Sequence, residues 1–455
     1  MATNKKTSQN QADPNVQSKK SVRVEPRLLK GFRDYLPVDA LPLRELMTKI
    51  VGVFESFGFE PLETPTLEYA DILTGKYGTE GDKLMYRFVD QGGRTVAMRY
   101  DHTVPLARVI AMNQNLPMPF KRYVLAPVWR AEKPQRGRLR EFYQCDFDIV
   151  GSDEARADAE ILAVAYQLLA QLGVKKFILR ANHRGILDAL MDVNGIAKNQ
   201  IGGTLHAMDK FEKYGEESFV RDTQKLGLEQ KQIDALLKLI SRRGSAEKVL
   251  NGLAKSLAKH RSGSMAVKHL SAIVEHAYAQ GVPEKFLTVD LGVVRGLDYY
   301  TGMVVESVIA DLPLFGSTVG GGRYDKLVGI FSRRTIPAVG ASLGLGRLFE
   351  ALQELGLASV YRHPAKVMVA IFDQTSVRAA EKIAASLRDA DINTLLFPGS
   401  VSKFDKQLKF ADRLGIEWVV WQGPEELNKK IVALKNLKTR EQTSTSFSTL
   451  ARRLK

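Results

Sequence analysis

Cysteine is almost missing from this chain: Cys145 is the single one among 455 residues. One thiol excludes an internal disulfide framework and a cysteine-based zinc site, and it fits a reducing, cytoplasmic setting. Long apolar runs are missing too, so no segment is expected to span a bilayer and no membrane partner is expected. The opening stretch Met1–Val24 nearly lacks apolar residues and is rich in Lys, Ser, Asn and Gln; residues 1–25 are expected to be a disordered basic tail. It holds no hydrophobic segment for secretion. With Arg23 as its only arginine and no amphipathic repeat, it also gives organelle import little support.

Whole chemistries are absent as well. No G-x-x-x-x-G-K-S/T run occurs, and no G-x-G-x-x-G leads from a strand into a helix, so an ATP site here is of neither the P-loop nor the Rossmann kind. The seven histidines, at 102, 183, 206, 260, 269, 276 and 363, form no pattern such as H-E-x-x-H, and no resident metal is expected. Gly340 to Gly344 has nucleophile-elbow spacing. An elbow hydrolase needs a later acid and histidine, and only His363 follows, in a linker.

What is present is a basic, globular composition: 66 Lys and Arg against 51 Asp and Glu, a formal charge of +15, which favours an anionic partner such as nucleic acid. The length allows two to four domains. The most informative stretch is Arg122–Gly151. Two β-forming runs, Tyr123–Arg130 and Phe142–Val150, flank a segment with Lys133, Arg136, Arg138 and Arg140, which reads as an antiparallel hairpin with a basic loop. A period of two sends Tyr143, Cys145, Phe147 and Ile149 to one face and Phe142, Gln144, Asp146 and Asp148 to the other. Two carboxylates and an amide beside Arg130 suit a small zwitterion, and the basic loop suits a polyphosphate or RNA. An ordinary half-solvated strand is the plainer alternative.

Elsewhere, apolar spacing predicts a helix over Leu41–Phe57, closed by Gly58, then a strand over Glu60–Thr64 ending at Pro65. A second hairpin around Gln91-Gly92-Gly93 delivers Asp101 and Thr103 to a helix start. Ser152 is expected to cap a helix reaching Leu172, and residues from His183 to about Gln280 read as almost wholly helical and charged. Strand character returns at Leu287–Leu291 and runs on through the 293–308 stretch. Glycines at 340, 344 and 346 lead into a helix whose start carries Arg347, a candidate phosphate ligand. After a boundary near Ala358–Ala365, strands at Val367–Phe372, Thr394–Phe397 and Trp418–Gln422 alternate with helices at about 376–389 and 403–414, an α/β unit. Its second helix carries Lys403, Lys406, Lys409 and Arg413 near Phe404 and Phe410, a candidate nucleic-acid face.

Taken in order, GFRDYLP (31–37), RYDHTVP (99–105), the 128–151 run, VRGLDYYTG (294–302), VGGGRYDKLVG (319–329) and the KQLKFADRLG helix resemble the class II aminoacyl-tRNA synthetases, and among them the histidyl-tRNA synthetases. The resemblance covers roughly Arg27–Lys455. It implies an α+β fold, with a six-stranded or larger antiparallel sheet flanked by helices, a helical insertion and a C-terminal α/β anticodon-binding domain. The implied layout is a catalytic domain over 26–183 and 281–357, an insertion over 184–280 that leans on the acceptor arm of tRNA, and an anticodon-binding domain over 366–455. A homodimer is implied, with the element ending at Pro65 at its interface. So is a two-step reaction in which histidine and ATP give histidyl-adenylate, and the histidyl group then passes to the 3′ end of tRNA(His). Magnesium is expected with ATP.

By motif match the resemblance implies Asp101, Thr103 and Gln144 for the histidine ammonium, with Asp148 and Tyr300, beside Tyr299, for the imidazole. Arg130 would hold the carboxylate and α-phosphate, and Arg295 would be the second catalytic arginine. Phe142 and Glu132 would meet adenine, Arg138 and Arg347 the phosphates, and Lys133, Gln135, Lys403, Lys406 and Lys409 the tRNA. The chain departs from the family pattern at His102, where a small or aliphatic residue is usual, and at Gly346, where an acid is common. A synthetase-like regulatory subunit of histidine biosynthesis that charges no tRNA is the competing reading. Such paralogues typically lack the C-terminal domain and motif arginines that are retained here.

Overall fold

The computed structural model describes residues 24–75, 78–134, 138–294, 299–332, 334–401 and 403–455. Arg295, Gln135, Arg136 and nearly all of the basic tail lie outside them. In chain order the first strands are β1 (Glu60–Pro61), β2 (Leu67–Tyr69), β3 (Arg87–Val89), β4 (Thr95–Met98), β5 (Phe120–Trp129) and β6 (Glu141–Val150). They are followed by β7 (Phe177–His183), β8 (Leu287–Val289), β9 (Met303–Ile309), β10 (Val319–Arg323) and β11 (Ala338–Gly344). Eight of these form one sheet in the order β1-β5-β6-β11-β10-β9-β7-β8, and β2-β4-β3 make a small second sheet. From β5 to β7 every neighbouring pair is antiparallel; only β1 beside β5 and β8 beside β7 run parallel, at the two edges. The chain is therefore α+β with a large antiparallel sheet, as expected.

β6 is buried on both sides, so it is not a half-solvated strand. Its Cys145, Phe147 and Ile149 join an apolar layer with the helix Pro37–Ser56, whose Leu46, Ile50, Val53 and Phe54 face inward. The Phe54 ring lies 5.1 Å from that of Phe147 and 5.5 Å from that of Tyr123. Each such side chain stabilises the body by roughly 1.5–3 kcal/mol through burial. The helix Ala155–Gln171 completes this layer, and the helix Arg261–Ala279 packs on it. Because Ile186, Leu205, Ile233, Leu253 and Ile273 share one apolar cluster with Phe147, the helical stretch after His183 is continuous with the core of the sheet.

Several boundaries differ from expectation, each for a local reason. The first helix starts at Pro37, because a proline at the first helical position needs no N–H partner. Ser152 does not cap the next helix: that helix begins at Ala155, and the Ser152 hydroxyl accepts only from the Glu154 amide at 3.4 Å. The strand expected over Glu60–Thr64 pairs only at Glu60 and Pro61. After Val289 the chain turns, and β9 starts only at Met303. The charged stretch after His183 is interrupted by a break between helices Gln230–Ile240 and Ala246–Ser256.

The C-terminal unit has its own sheet, ordered β13-β12-β14-β15-β16, from β12 (Val367–Val369), β13 (Thr394–Leu396), β14 (Trp418–Trp421), β15 (Ile431–Asn436) and β16 (Gln442–Ser446). β13, β12 and β14 are parallel; β15 and β16 add an antiparallel hairpin. Separate apolar clusters cover its two faces. No helix among the described residues is long and apolar enough to cross a membrane.

Candidate active site

The polar face of β6 is one wall of a cavity of about 390 Å³. Its register places the wall: Gly340 of β11 stands opposite Asp148, and Ser342 opposite Asp146. A Cβ at Gly340 would sit 1.9 Å from Asp148 Oδ1, and one at Gly321 would sit 2.2 Å from the Gly340 carbonyl oxygen. Glycine at 340 leaves room for the Asp148 carboxylate, and glycine at 321 lets β10 and β11 approach closely.

The cavity brings together Asp101, Thr103, Arg130, Gln144, Asp148, Tyr299 and Tyr300 with Glu132, Arg138, Phe142 and Arg347. Asp101 is brought there by the turn after β4, and its Oδ1 accepts from the amides of Thr103 and Val104 at 3.0 and 3.2 Å, closing the start of the helix Thr103–Met112. Arg130, just past the end of β5, is held rather than free. Its Nε donates to the Tyr100 carbonyl at 3.1 Å, its Nη2 reaches Gln144 Oε1 at 3.4 Å, and its guanidinium lies over the rings of Tyr100 and Phe142 at 4.4 and 5.2 Å. Stacking on aromatic faces fixes the plane of the fork. Arg347 donates to the Ser317 carbonyl at 2.7 Å.

The floor carries charges buried as deeply as the apolar core. Arg122 is 1% exposed and pairs with Asp148 Oδ2 at 2.8 Å. The Tyr324 hydroxyl donates to Asp148 Oδ1, and burial together with that carboxylate pushes the phenol well up, so it stays a donor. Burial raises the Asp148 carboxyl, while Arg122 and Tyr324 pull it back down. Asp146 is pushed up to about 7, chiefly by burial and then by Asp148, with Arg122 opposing. His102 lies beneath, driven down to about 3 by burial and then by Arg122; it is neutral, with Nε2 against the Ala126 carbonyl oxygen at 3.1 Å. The departure at His102 is therefore a buried strut rather than a cavity wall. Tyr299 is pushed well above the usual phenol range by burial and by Tyr300.

Reading the sequence missed Arg33, Tyr35, Tyr324 and Glu350 as cavity residues, and it set Asp146 on the polar wall without a role by motif match. Arg33 and Tyr35 lie in the GFRDYLP run, which arrives because the Arg140 amide donates to the Gly31 carbonyl at 2.8 Å. The spacing of Gln144, Asp146 and Asp148 was the signal for Asp146, and Tyr324 lies in the 319–329 motif run; Glu350 comes from a remote segment and gave none. Glu350 Oε2 is buried without a partner, one helical turn beyond Arg347.

Outside the cavity, Lys133 is exposed, as are Lys403, Lys406, Lys409 and Arg413 along the helix Phe404–Arg413. The two phenylalanines expected beside these lysines turn inward: Phe404 packs on Trp421 at 4.9 Å and Phe410 on Phe397 at 5.7 Å. That face is one of charge alone, with no aromatic platform. Among the described residues no cluster of three or more His, Cys, Asp or Glu is built to hold a metal.

The histidyl-tRNA synthetase family model matches residues 31–348, and the model of the anticodon binding domain matches residues 366–455. The curated histidine–tRNA ligase of Rhodopirellula baltica is 42% identical over 427 residues, covering 93% of this chain and 96% of that protein. That of Aeropyrum pernix is 41% identical, covering 88% and 91%. The crystal structure of histidyl-tRNA synthetase from Nostoc sp. PCC 7120 superposes with a TM-score of 0.85 at 30% identity, covering 95% of this chain and 99% of that one.

Proposed function

This chain belongs to the histidyl-tRNA synthetase family, and from that premise we propose that it catalyses the histidine–tRNA ligase reaction in the cytoplasm as a homodimer. The carboxylate oxygen of histidine attacks the α-phosphorus of ATP, pyrophosphate leaves, and the terminal hydroxyl of tRNA(His) then attacks the acyl carbon and releases AMP. The observation that carries this reading is one cavity lined by the carboxylates of Asp101, Asp146 and Asp148, the Gln144 amide and the guanidinium groups of Arg130, Arg138 and Arg347.

In that cavity Asp101, Thr103 and Gln144 accept the ammonium, which needs several acceptors at once. Asp148 and Tyr300, with Tyr299 behind, bracket the imidazole; leaving such buried groups unpaired is what rejects an isostere. Arg130, prevented from swinging by Tyr100 and Phe142, meets the carboxylate and the α-phosphate, so its charge is in place before negative charge builds up on phosphorus. Phe142 offers a face to adenine with Glu132 at its edge, and Arg138 and Arg347 serve the distal phosphates. Arg295 takes the second guanidinium role by motif match. Magnesium is expected with ATP and needs only one or two carboxylates beside phosphate oxygens; the unpartnered Glu350 oxygen would fit that need.

For tRNA, Lys133 and Gln135 serve the acceptor end, and Lys403, Lys406 and Lys409 give the C-terminal unit a cationic face. The domain limits read from the sequence, with catalytic segments 26–183 and 281–357, insertion 184–280 and C-terminal unit 366–455, are proposed with the same roles. The deciding experiment is ATP–pyrophosphate exchange by the full chain with each amino acid, followed by charging of tRNA(His). Exchange that depends on histidine alone is expected; no exchange with histidine, ATP and magnesium present would sink the reading.

A further inference from the structure

Buried polar atoms in native proteins almost always have partners, and those that do not tend to mark a place where a ligand supplies one. On the floor of the cavity most acceptors are already engaged. Asp148 has Arg122 on one oxygen and Tyr324 on the other, Asp101 Oδ1 is spent on two backbone amides, and Gln144 Oε1 accepts from Arg130 Nη2 at 3.4 Å. Asp146 is different. It is 3% exposed and lines the cavity, with Ser342 beside it, and its Oδ1 has no hydrogen-bond partner. It stands on β6 between Gln144, given above to the ammonium, and Asp148, given to the imidazole, and so lies beside the path of the amino-acid side chain.

We propose that Asp146 determines specificity in this pocket, its Oδ1 accepting a hydrogen bond from the ring N–H of the bound histidine. The inference rests on the histidine-activating reading above and adds an acceptor that the motif match does not assign. Asp146 and Asp148 around one fully buried guanidinium are costly to keep together, and a carboxylate oxygen held there without a partner is accounted for by a donor that arrives with the substrate.

The test compares dissociation constants, by calorimetry on the full-length protein, for histidine and for 3-(thiazol-4-yl)alanine, which keeps the ring size and the nitrogen beside the attachment carbon but replaces the N–H by sulfur. Asp146→Ala is expected to weaken histidine binding by a factor of roughly 10 to 100, the range of one charge-assisted hydrogen bond, and thiazolylalanine binding by less than about threefold. The preference for histidine then collapses. Asp146→Asn, near-isosteric and uncharged, relieves the crowding of carboxylates and keeps the fold; it is expected to lose the preference in smaller measure. Equal weakening of both ligands, or no weakening of either, would overturn the proposal. Failure of the wild-type protein to exchange pyrophosphate with histidine would defeat the functional reading instead, so the two failures are distinguishable.

Discussion

The cavity floor and the lysine face of the C-terminal helix are both collections of charge, but they obey different physics. Arg122, Asp146 and Asp148 are at most 3% exposed, whereas Lys403, Lys406 and Lys409 are open to solvent. Buried charges interact strongly, cost much to desolvate and depend on every neighbour; exposed ones are screened and act almost independently. A single substitution should therefore be severe in the first region and slight in the second.

The sharpest way to break this contrast is Arg122→Met. It leaves Asp148 and Asp146 without their shared counter-charge and should destabilise the fold by roughly 3–5 kcal/mol in denaturant unfolding. A loss below about 1 kcal/mol would show that the floor is better hydrated than its burial says. Next, Gly340→Ala puts a methyl group against Asp148 and should abolish histidine-dependent exchange even where the protein still folds. Arg295→Ala should slow adenylate formation by a factor equivalent to about 3 kcal/mol while histidine affinity is kept; an unchanged exchange rate would remove it from the mechanism.

A pH series sharpens the comparison further. Asp146 titrates near 7 in the folded chain against 3.8 as its ordinary value. Between those values the unfolded chain has released a proton that the folded chain still holds, so this group's stabilising contribution is complete below about pH 4, declines up to about pH 7 and is level above. Asp146→Asn should lack that decline, its melting temperature exceeding that of the wild type increasingly across that window. Parallel curves would show that the carboxyl is not desolvated. The smallest effect is expected at the other region: Lys406→Ala and Lys409→Ala should change stability by less than about 0.5 kcal/mol. Each should weaken tRNA binding modestly and reduce its salt slope by nearly one unit for every phosphate no longer neutralised. An unaltered slope would return that helix to plain solvated surface.

How much of this was legible in advance depends on the range of the interaction. The β5–β6 hairpin was readable because alternation over ten residues needs nothing beyond the strand itself, and with it came Gln144 and Asp148. The β15–β16 hairpin was missed because Gln442–Ser446 is wholly polar on an edge, with no apolar alternation to detect. The inward turn of Phe404 and Phe410 was missed because helical spacing places lysine and phenylalanine side by side on the chain, and only the sheet beneath decides which of them it covers.

The sequence alone determined the antiparallel α+β body, the α/β C-terminal unit, the identity of the motif residues and the family, since each rests on local periodicity or on ordered short motifs. Only the tertiary structure decided that Arg122 and Tyr324 secure Asp148, that Gly340 leaves room for it, that aromatic rings pin Arg130, and that Asp146 keeps an open oxygen in the cavity. Of these, Asp148 and Tyr324 are 176 residues apart in the chain. The physical reason is that pairing and desolvation depend on distance in space, which side-chain periodicity along one strand or helix does not encode.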